Sequence, residues 1–295
     1  MRNSITTRAR SVAALSGGAA ITLLGSCAAP ATRETPIALT SSAEPGAAAA
    51  VAGEQNPGPP APGTARRVGG DLSAAITGQD GDFRAGPCRI DTPLPAGYPP
   101  PTPPDAIDLK TYPGVRLAEV TGTGNPDAGM NRAFWPLFNH IKKHDIAMTS
   151  PVEMSFDGLT PDAPRSPDAW SMAFLYRTPE LNATGQDGQV TVRDAQPVTV
   201  VAFGLRGDYS MALVERGMRA IEDWFAANPD WEPAGNWRTL YYNGPALRFW
   251  NKWAEVQMPV RLAALRIPTP APTAQAASAA SAASASNPHA ASPTP

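Results

Sequence analysis

The clearest alternation in the chain is "IAMTSPVEMSF", Ile146 to Phe156, where apolar and polar residues take turns at the period of a half-buried strand. Pro151 interrupts it, and a residue without a backbone N–H belongs at a strand end, an edge or a bulge. Upstream, "GVRLAEVTG" predicts an earlier strand. Between the two, Asn125-Pro126 supplies a cap and a first-turn proline. Met130, Phe134, Leu137 and Ile141 then recur at helical spacing, and Lys142-Lys143 suit a helix C-terminus. "AWSMAFLYRT" predicts the next strand. The order then repeats. "PVTVVAFGLRG" reads as a strand, Asp208 as a cap, and Leu213, Ile221, Trp224 and Phe225 as one helical face. "NWRTLYYNG" and "KWAEVQMPV" close as strands, and a short "QVTVRD" lies between the halves. Two amphipathic helices against one large antiparallel sheet predict an α+β domain of two β-α-β-β units.

Composition sets the expected limits of that domain. Residues 1–27 carry a basic start (Arg2, Arg8, Arg10) and an apolar-to-small stretch too short to span a bilayer comfortably. The stretch ends in "LLGSC", which resembles a bacterial lipobox with Cys27 as the lipidated thiol. The alternative is an ordinary signal peptide carrying a chance cysteine. With lipidation, the expected location is the cell envelope. Ala28 after the cysteine points to the outer membrane, facing the periplasm, so the membrane becomes a partner through the anchor. Residues 28–107 are rich in Ala, Pro and Gly and read as a disordered tether. Residues 263–295 read as a low-complexity tail. About 155 residues, 108–262, remain as the folded domain and hold all seven tryptophans. The formal net charge of −2, with no recurring Lys/Arg block, argues against a nucleic-acid partner. Cys88 has no expected intrachain disulfide partner once Cys27 is lipidated.

Few residues carry candidate chemistry. His140 and His144 have the i, i+4 spacing of a two-histidine metal site, but "HIKKH" lacks the Glu of a metalloprotease and no third ligand is evident. His140 can flank a cleft as an imidazole ligand to iron, or sit partly exposed with no ligand. Met130, Phe134, Met148 and Met154 can line a slot for a flat apolar ligand, or simply form core. Glu255, with Tyr241 and Trp253 close in sequence, can bind a cation by charge and cation–π attraction, or alternate outward on a strand, paired by Lys252 or an arginine. No nucleophile elbow, phosphate loop or telling carboxylate pair is present, so a catalyst is not the expected reading.

Two segments carry a family resemblance. "AFWPLFNHI…DIAMTSPVEMSF" and "TLYYNGPALRFWNKWAEVQMPV" resemble the SOUL haem-binding family. The resemblance covers nearly the whole expected domain. It implies a distorted antiparallel β-barrel of two similar halves with two helices packed on it. It implies haem or another tetrapyrrole as a non-covalent ligand, held in a cleft between the first helix and the sheet. The expected contacts are then Met130, Phe134, Leu137, His140 and Met148, with His140 a possible iron ligand, in a carrier, buffer or sensor. The strand around Glu255 also resembles bacterial effector-binding domains. Those imply a different, often cationic, small ligand, and some are hydrolases.

Overall fold

The computed structural model describes residues 57–264 apart from Pro245. The chain divides into two units, Met1–Gly53 and Glu54–Pro295, and every described residue lies in the second. Cys27 and its lipobox fall outside the described residues.

In chain order the elements are β1 (Thr64–Gly70), β2 (Thr77–Gln79), β3 (Asp82–Ala85), β4 (Cys88–Ile90), β5 (Ala106–Tyr112) and β6 (Val115–Thr123). After them come α1 (Pro126–Lys143), β7 (Val152–Asp157), β8 (Ala169–Leu175), β9 (Gly185–Asp187), β10 (Val190–Ala195) and β11 (Val198–Arg206). The last are α2 (Met211–Ala227), β12 (Trp231–Pro233), β13 (Trp237–Tyr241) and β14 (Trp253–Leu262). Ten strands pair in the order β1-β5-β11-β14-β13-β7-β8-β6-β10-β9, and β12 adds to β14. Strands β2, β3 and β4 form a separate small sheet.

That order reads the same from either end. At the centre, β13 pairs with β7, Leu240 opposite Glu153. On one side follow β14 and β11, and on the other β8 and β6. Each half is thus a β-α-β-β unit, as the repeated pattern predicts, and each is flanked by an antiparallel strand pair, β1–β5 or β10–β9. The fold is α+β with a mainly antiparallel sheet and two helices. Strands β1 and β9 remain edges, so the expected barrel is not closed among the described residues.

Both helices pack into one core on one face of the sheet. Ala133, Leu137 and Ile141 of α1 and Val214, Met218 and Ile221 of α2 are buried there with Ala254, Val256 and Met258. The alternation along β14 sends Trp253, Glu255 and Gln257 to the opposite face. The cap of α2 is Ser210, whose hydroxyl accepts from the Leu213 N–H, rather than the expected Asp208. Asp208 instead pairs with Lys252 at 2.8 Å.

The opposite face holds the largest correction to the sequence reading. Residues 57–107 are no tether. They contribute β1 to β4, and the expected boundary at 108 cuts through β5. Phe83, Ala85, Cys88, Ile90 and Leu94 form a second buried cluster with Tyr112, Val200, Leu240 and Trp253. The proline run crosses this face as a strap, with Pro99, Pro101, Thr102 and Pro103 buried. Proline-rich backbone makes no ladder of its own and needs outside partners. The sheet supplies them. The Thr102 N–H donates to Glu255 at 2.7 Å, Trp253 Nε1 donates to the Thr102 carbonyl at 2.7 Å, and Lys110 Nζ donates to the Pro100 carbonyl at 2.8 Å.

The expected strand "IAMTSPVEMSF" begins only at Val152. Residues 146–151 leave the ladder, and the Ser150–Pro151 peptide bond is cis. Their polar groups still have partners. The Ser150 N–H donates to the Pro93 carbonyl at 2.9 Å, its hydroxyl donates to the Tyr242 carbonyl at 2.8 Å, and the Thr149 hydroxyl donates to the Leu175 carbonyl.

Candidate functional sites

Helix α1 starts where the Asn125 side chain accepts from the Asp127 N–H, and its periodicity gives it two different faces. Leu137 is fully buried in the main core, so this expected ligand contact is a packing residue. Met130 and Phe134 are partly buried against the same core, as is Met148 after the helix. Phe138 continues the Met130–Phe134 stripe and is 36% exposed, while Trp135 beside it is 60% exposed. The rings form one patch. Phe134 stacks on Phe138 with centroids 5.8 Å apart, Trp135 stands edge-on to both, and Phe134 meets Phe174 of β8 edge-on at 5.3 Å. A tryptophan and a phenylalanine this open on a packed helix form the kind of apolar patch that marks a binding surface. Neither was among the expected contacts. The stripe was legible at i+4 from Phe134, but the buried/exposed split was not.

His140, at 4% exposed, is not the partly exposed residue that one of its expected readings requires. Nδ1 lies 2.8 Å from Asp187 Oδ2, and Nε2 lies 2.8 Å from the Tyr176 hydroxyl. Both ring nitrogens thus have partners within the chain. His144, the C-cap of α1, also reaches Asp187 Oδ2, at 3.0 Å from Nε2. The pair therefore has a third potential ligand, brought by the β9–β10 hairpin from 43 residues beyond His144, which the spacing alone did not reveal.

Glu255 is fully buried and so is Lys110, which pairs with it at 2.8 Å. The sequence reading pointed to Lys252 or an arginine instead. Glu255 Oε1 also accepts from the Tyr242 hydroxyl at 2.7 Å, and Oε2 accepts from Gln257 Nε2 at 2.7 Å. Burial first, and then the charge of Glu255, hold the Tyr112 and Tyr242 hydroxyls well above the usual tyrosine range. Trp253 is fully buried, and Tyr241 is buried and stacked on Tyr209 at 4.2 Å. The expected alternative site at Glu255, Tyr241 and Trp253 is thus interior, and its cation is the chain's own lysine. The three do not share a face either, since Tyr241 packs in the main core and Trp253 in the second.

Concavities open on the described surface. One of about 520 Å³ is lined by Arg84, Cys88, Arg89, Tyr242, Asn243 and Leu247 among others, and a smaller one lies beside Gly129 and Trp170. None of the five expected ligand contacts lines either.

Residues 99–259 match the sequence profile of the family described as SOUL heme-binding protein. The chain belongs to the SOUL family. No curated protein matches this SOUL-family chain. Solved structures with a similar course include the C-terminal domain of EcmrR, at 13% identity and TM-score 0.46, covering 53% of this chain and 98% of that one. A hydrolase encoded by lin2189 of Listeria innocua aligns at 13% identity and TM-score 0.40, covering 55% and 93%. SAV2435 bound to tetraphenylphosphonium aligns at 11% identity and TM-score 0.36, covering 52% and 93%. Likeness at this level decides nothing about what this chain binds.

Proposed function

We propose that this SOUL-family chain binds haem or another tetrapyrrole on the exposed aromatic face of α1 and serves as a carrier, buffer or sensor. The observation that carries the reading is the Trp135–Phe138 patch, continuous with Phe134 and Met130. Its exposed rings fit a flat apolar macrocycle, which needs contact area and few polar groups. Axial ligation of iron by His140 would first have to break one of its two ring hydrogen bonds. Bound haem supplies an iron centre and an intense visible absorption, and the chain's own residues supply apolar contact and orientation. The Lys110–Glu255 pair argues against the rival cationic ligand, because a second cation at Glu255 has to displace a lysine with no exposure. We further propose that Cys27 is lipidated and holds the domain at the outer membrane, facing the periplasm. Mass spectrometry of Cys27 in the wild-type chain tests the anchor, and an unmodified thiol there removes it.

The test of the site is a spectral titration of the full chain with haem and with metal-free protoporphyrin. Both Trp135 and Phe138 are exposed, so replacing them leaves the core alone. A macrocycle covering ~80 Å² of each ring gains about 2 kcal/mol per ring, or roughly 30-fold in affinity. Trp135→Ala and Phe138→Ala are each expected to weaken both ligands by about that factor. A wild-type chain giving no saturable change with either ligand refutes the reading. So does unchanged binding by the doubly substituted chain.

A further inference from the structure

We propose that His140, His144 and Asp187 form a binding site for a divalent first-row transition ion of the zinc class, clamping the C-terminal end of α1 to the β9–β10 hairpin. The site is separate from the aromatic face of the same helix and does not depend on tetrapyrrole binding.

Three ligand atoms converge. His140 Nδ1 and His144 Nε2 both point at one oxygen, Asp187 Oδ2, from 2.8 and 3.0 Å, and the three lie within 4.8 Å of one another. Around a zinc ion with bonds of about 2.0–2.1 Å, tetrahedral donors stand roughly 3.3 Å apart. An ion therefore enters after small shifts of His144 and Asp187, the two ligands whose side chains are partly exposed. His144 and Asp187 are each about one-third exposed, at 30% and 33%, which leaves an approach path and room for a water as the fourth ligand. Two imidazole nitrogens and one carboxylate oxygen suit zinc and its neighbours over calcium or magnesium, which favour all-oxygen shells.

The surroundings resemble those that orient metal ligands. A ligating histidine normally anchors its second ring nitrogen, and a ligating carboxylate its second oxygen. Here His140 Nε2 meets the fully buried Tyr176 hydroxyl at 2.8 Å, and Asp187 Oδ1 accepts from Lys143 Nζ at 2.8 Å. Because a carboxylate only accepts, both histidines donate to Asp187 in the ion-free form. Ion binding requires His140 to carry its proton on Nε2 instead, and a tyrosine hydroxyl serves that nitrogen as donor or acceptor. For neutral rings the change is one of tautomer alone. The cation also sits at the C-terminal end of α1, where the helix dipole favours positive charge.

The test is equilibrium dialysis of the chelator-treated full chain, without a polyhistidine tag, against Zn2+, together with a Co2+ titration followed by visible absorption. One ion per chain is expected, with a dissociation constant in the micromolar range or tighter. His144→Ala and Asp187→Asn, both at partly exposed positions, are each expected to weaken binding at least 10-fold. They are also expected to abolish the rise in thermal midpoint that saturating Zn2+ gives the wild type. Tyr176→Phe is expected to weaken binding about 10-fold. His289→Ala is expected to change nothing. Less than 0.1 ion bound per chain at 100-micromolar Zn2+ overturns the proposal (~100 micromolar marks a generous ceiling for a built site). Binding that survives His144→Ala and Asp187→Asn overturns it equally.

Discussion

Glu255→Gln removes one negative charge from the centre of the strap-covered face, and its cost can be worked from the contacts. Oε1 accepts three donors, Lys110 Nζ at 2.8 Å, the Tyr242 hydroxyl at 2.7 Å and the Thr102 N–H at 2.7 Å, while Oε2 accepts Gln257 Nε2 at 2.7 Å. A glutamine amide fits the space but turns an NH2 group toward one set of those donors. Lys110 is then a fully buried ammonium with no counter-charge, left to neutral acceptors such as the Pro100 carbonyl. Removing one member of a buried pair costs about 3–5 kcal/mol, a large part of the ~5–15 kcal/mol that holds a domain together. At about 2–4 °C per kcal/mol for a domain of this size, the thermal midpoint should fall by roughly 6–20 °C. Urea unfolding followed by tryptophan fluorescence and far-ultraviolet circular dichroism measures the loss. The double variant Lys110→Met/Glu255→Gln, which removes the stranded charge, should be more stable than the sum of its single variants by at least about 1 kcal/mol. A Glu255→Gln cost under about 1 kcal/mol, or strict additivity in the double variant, refutes the account of the strap's anchor.

Other expectations follow from the same contacts. A chain starting at Asp108 should lose cooperative unfolding, whereas residues 57–264 should unfold in a single transition by both probes. Gly129→Ala should destabilise by about 1–3 kcal/mol, because an added Cβ stands 2.1 Å from the Trp170 ring; an unchanged urea midpoint counts against the close packing of α1 on β8. Burial pushes the Cys88 thiol up to about 11, so native Cys88 should resist iodoacetamide at pH 8 and react fully once unfolded. With the folded value above the unfolded one, the thiol's contribution to stability is present below pH about 9 and is lost as pH rises toward 11. Urea midpoints at pH 8 and 10.5, compared between wild type and Cys88→Ala, measure it.

The sheet's central strands and both helices were legible because each has one buried face, and a buried face writes a period into the sequence. Phe134, Leu137 and Ile141 show it for α1, and Ala254, Val256 and Met258 for β14. The strap was not legible. Pro99, Pro101 and Pro103 carry the composition of an unfolded linker, and only the groove on the opposite face of the sheet makes their burial favourable. Glu255 misled for a related reason. Its strand was read as half-exposed, so a carboxylate on the polar side looked available to a ligand, whereas both faces are covered. His140 and His144 revealed their spacing but not their partner, because Asp187 arrives from a hairpin with no local signal. The open rings of Trp135 and Phe138 lay in plain view within a helix whose apolar face is wider than its packing requires.

The strap's anchor also sets an order of events. Thr102 and Lys110 meet Glu255 across 153 and 145 residues of chain. A ribosome delivers the strap among the first parts of the domain and its receptor strand among the last. Contacts of such long sequence separation are slow to form, and until β14 is in place the buried prolines and Lys110 have no home. The strap can therefore close on its anchor only after β14 has been made and placed. A chain halted before Trp253 would lack Glu255, and its strap would have no carboxylate on which to latch.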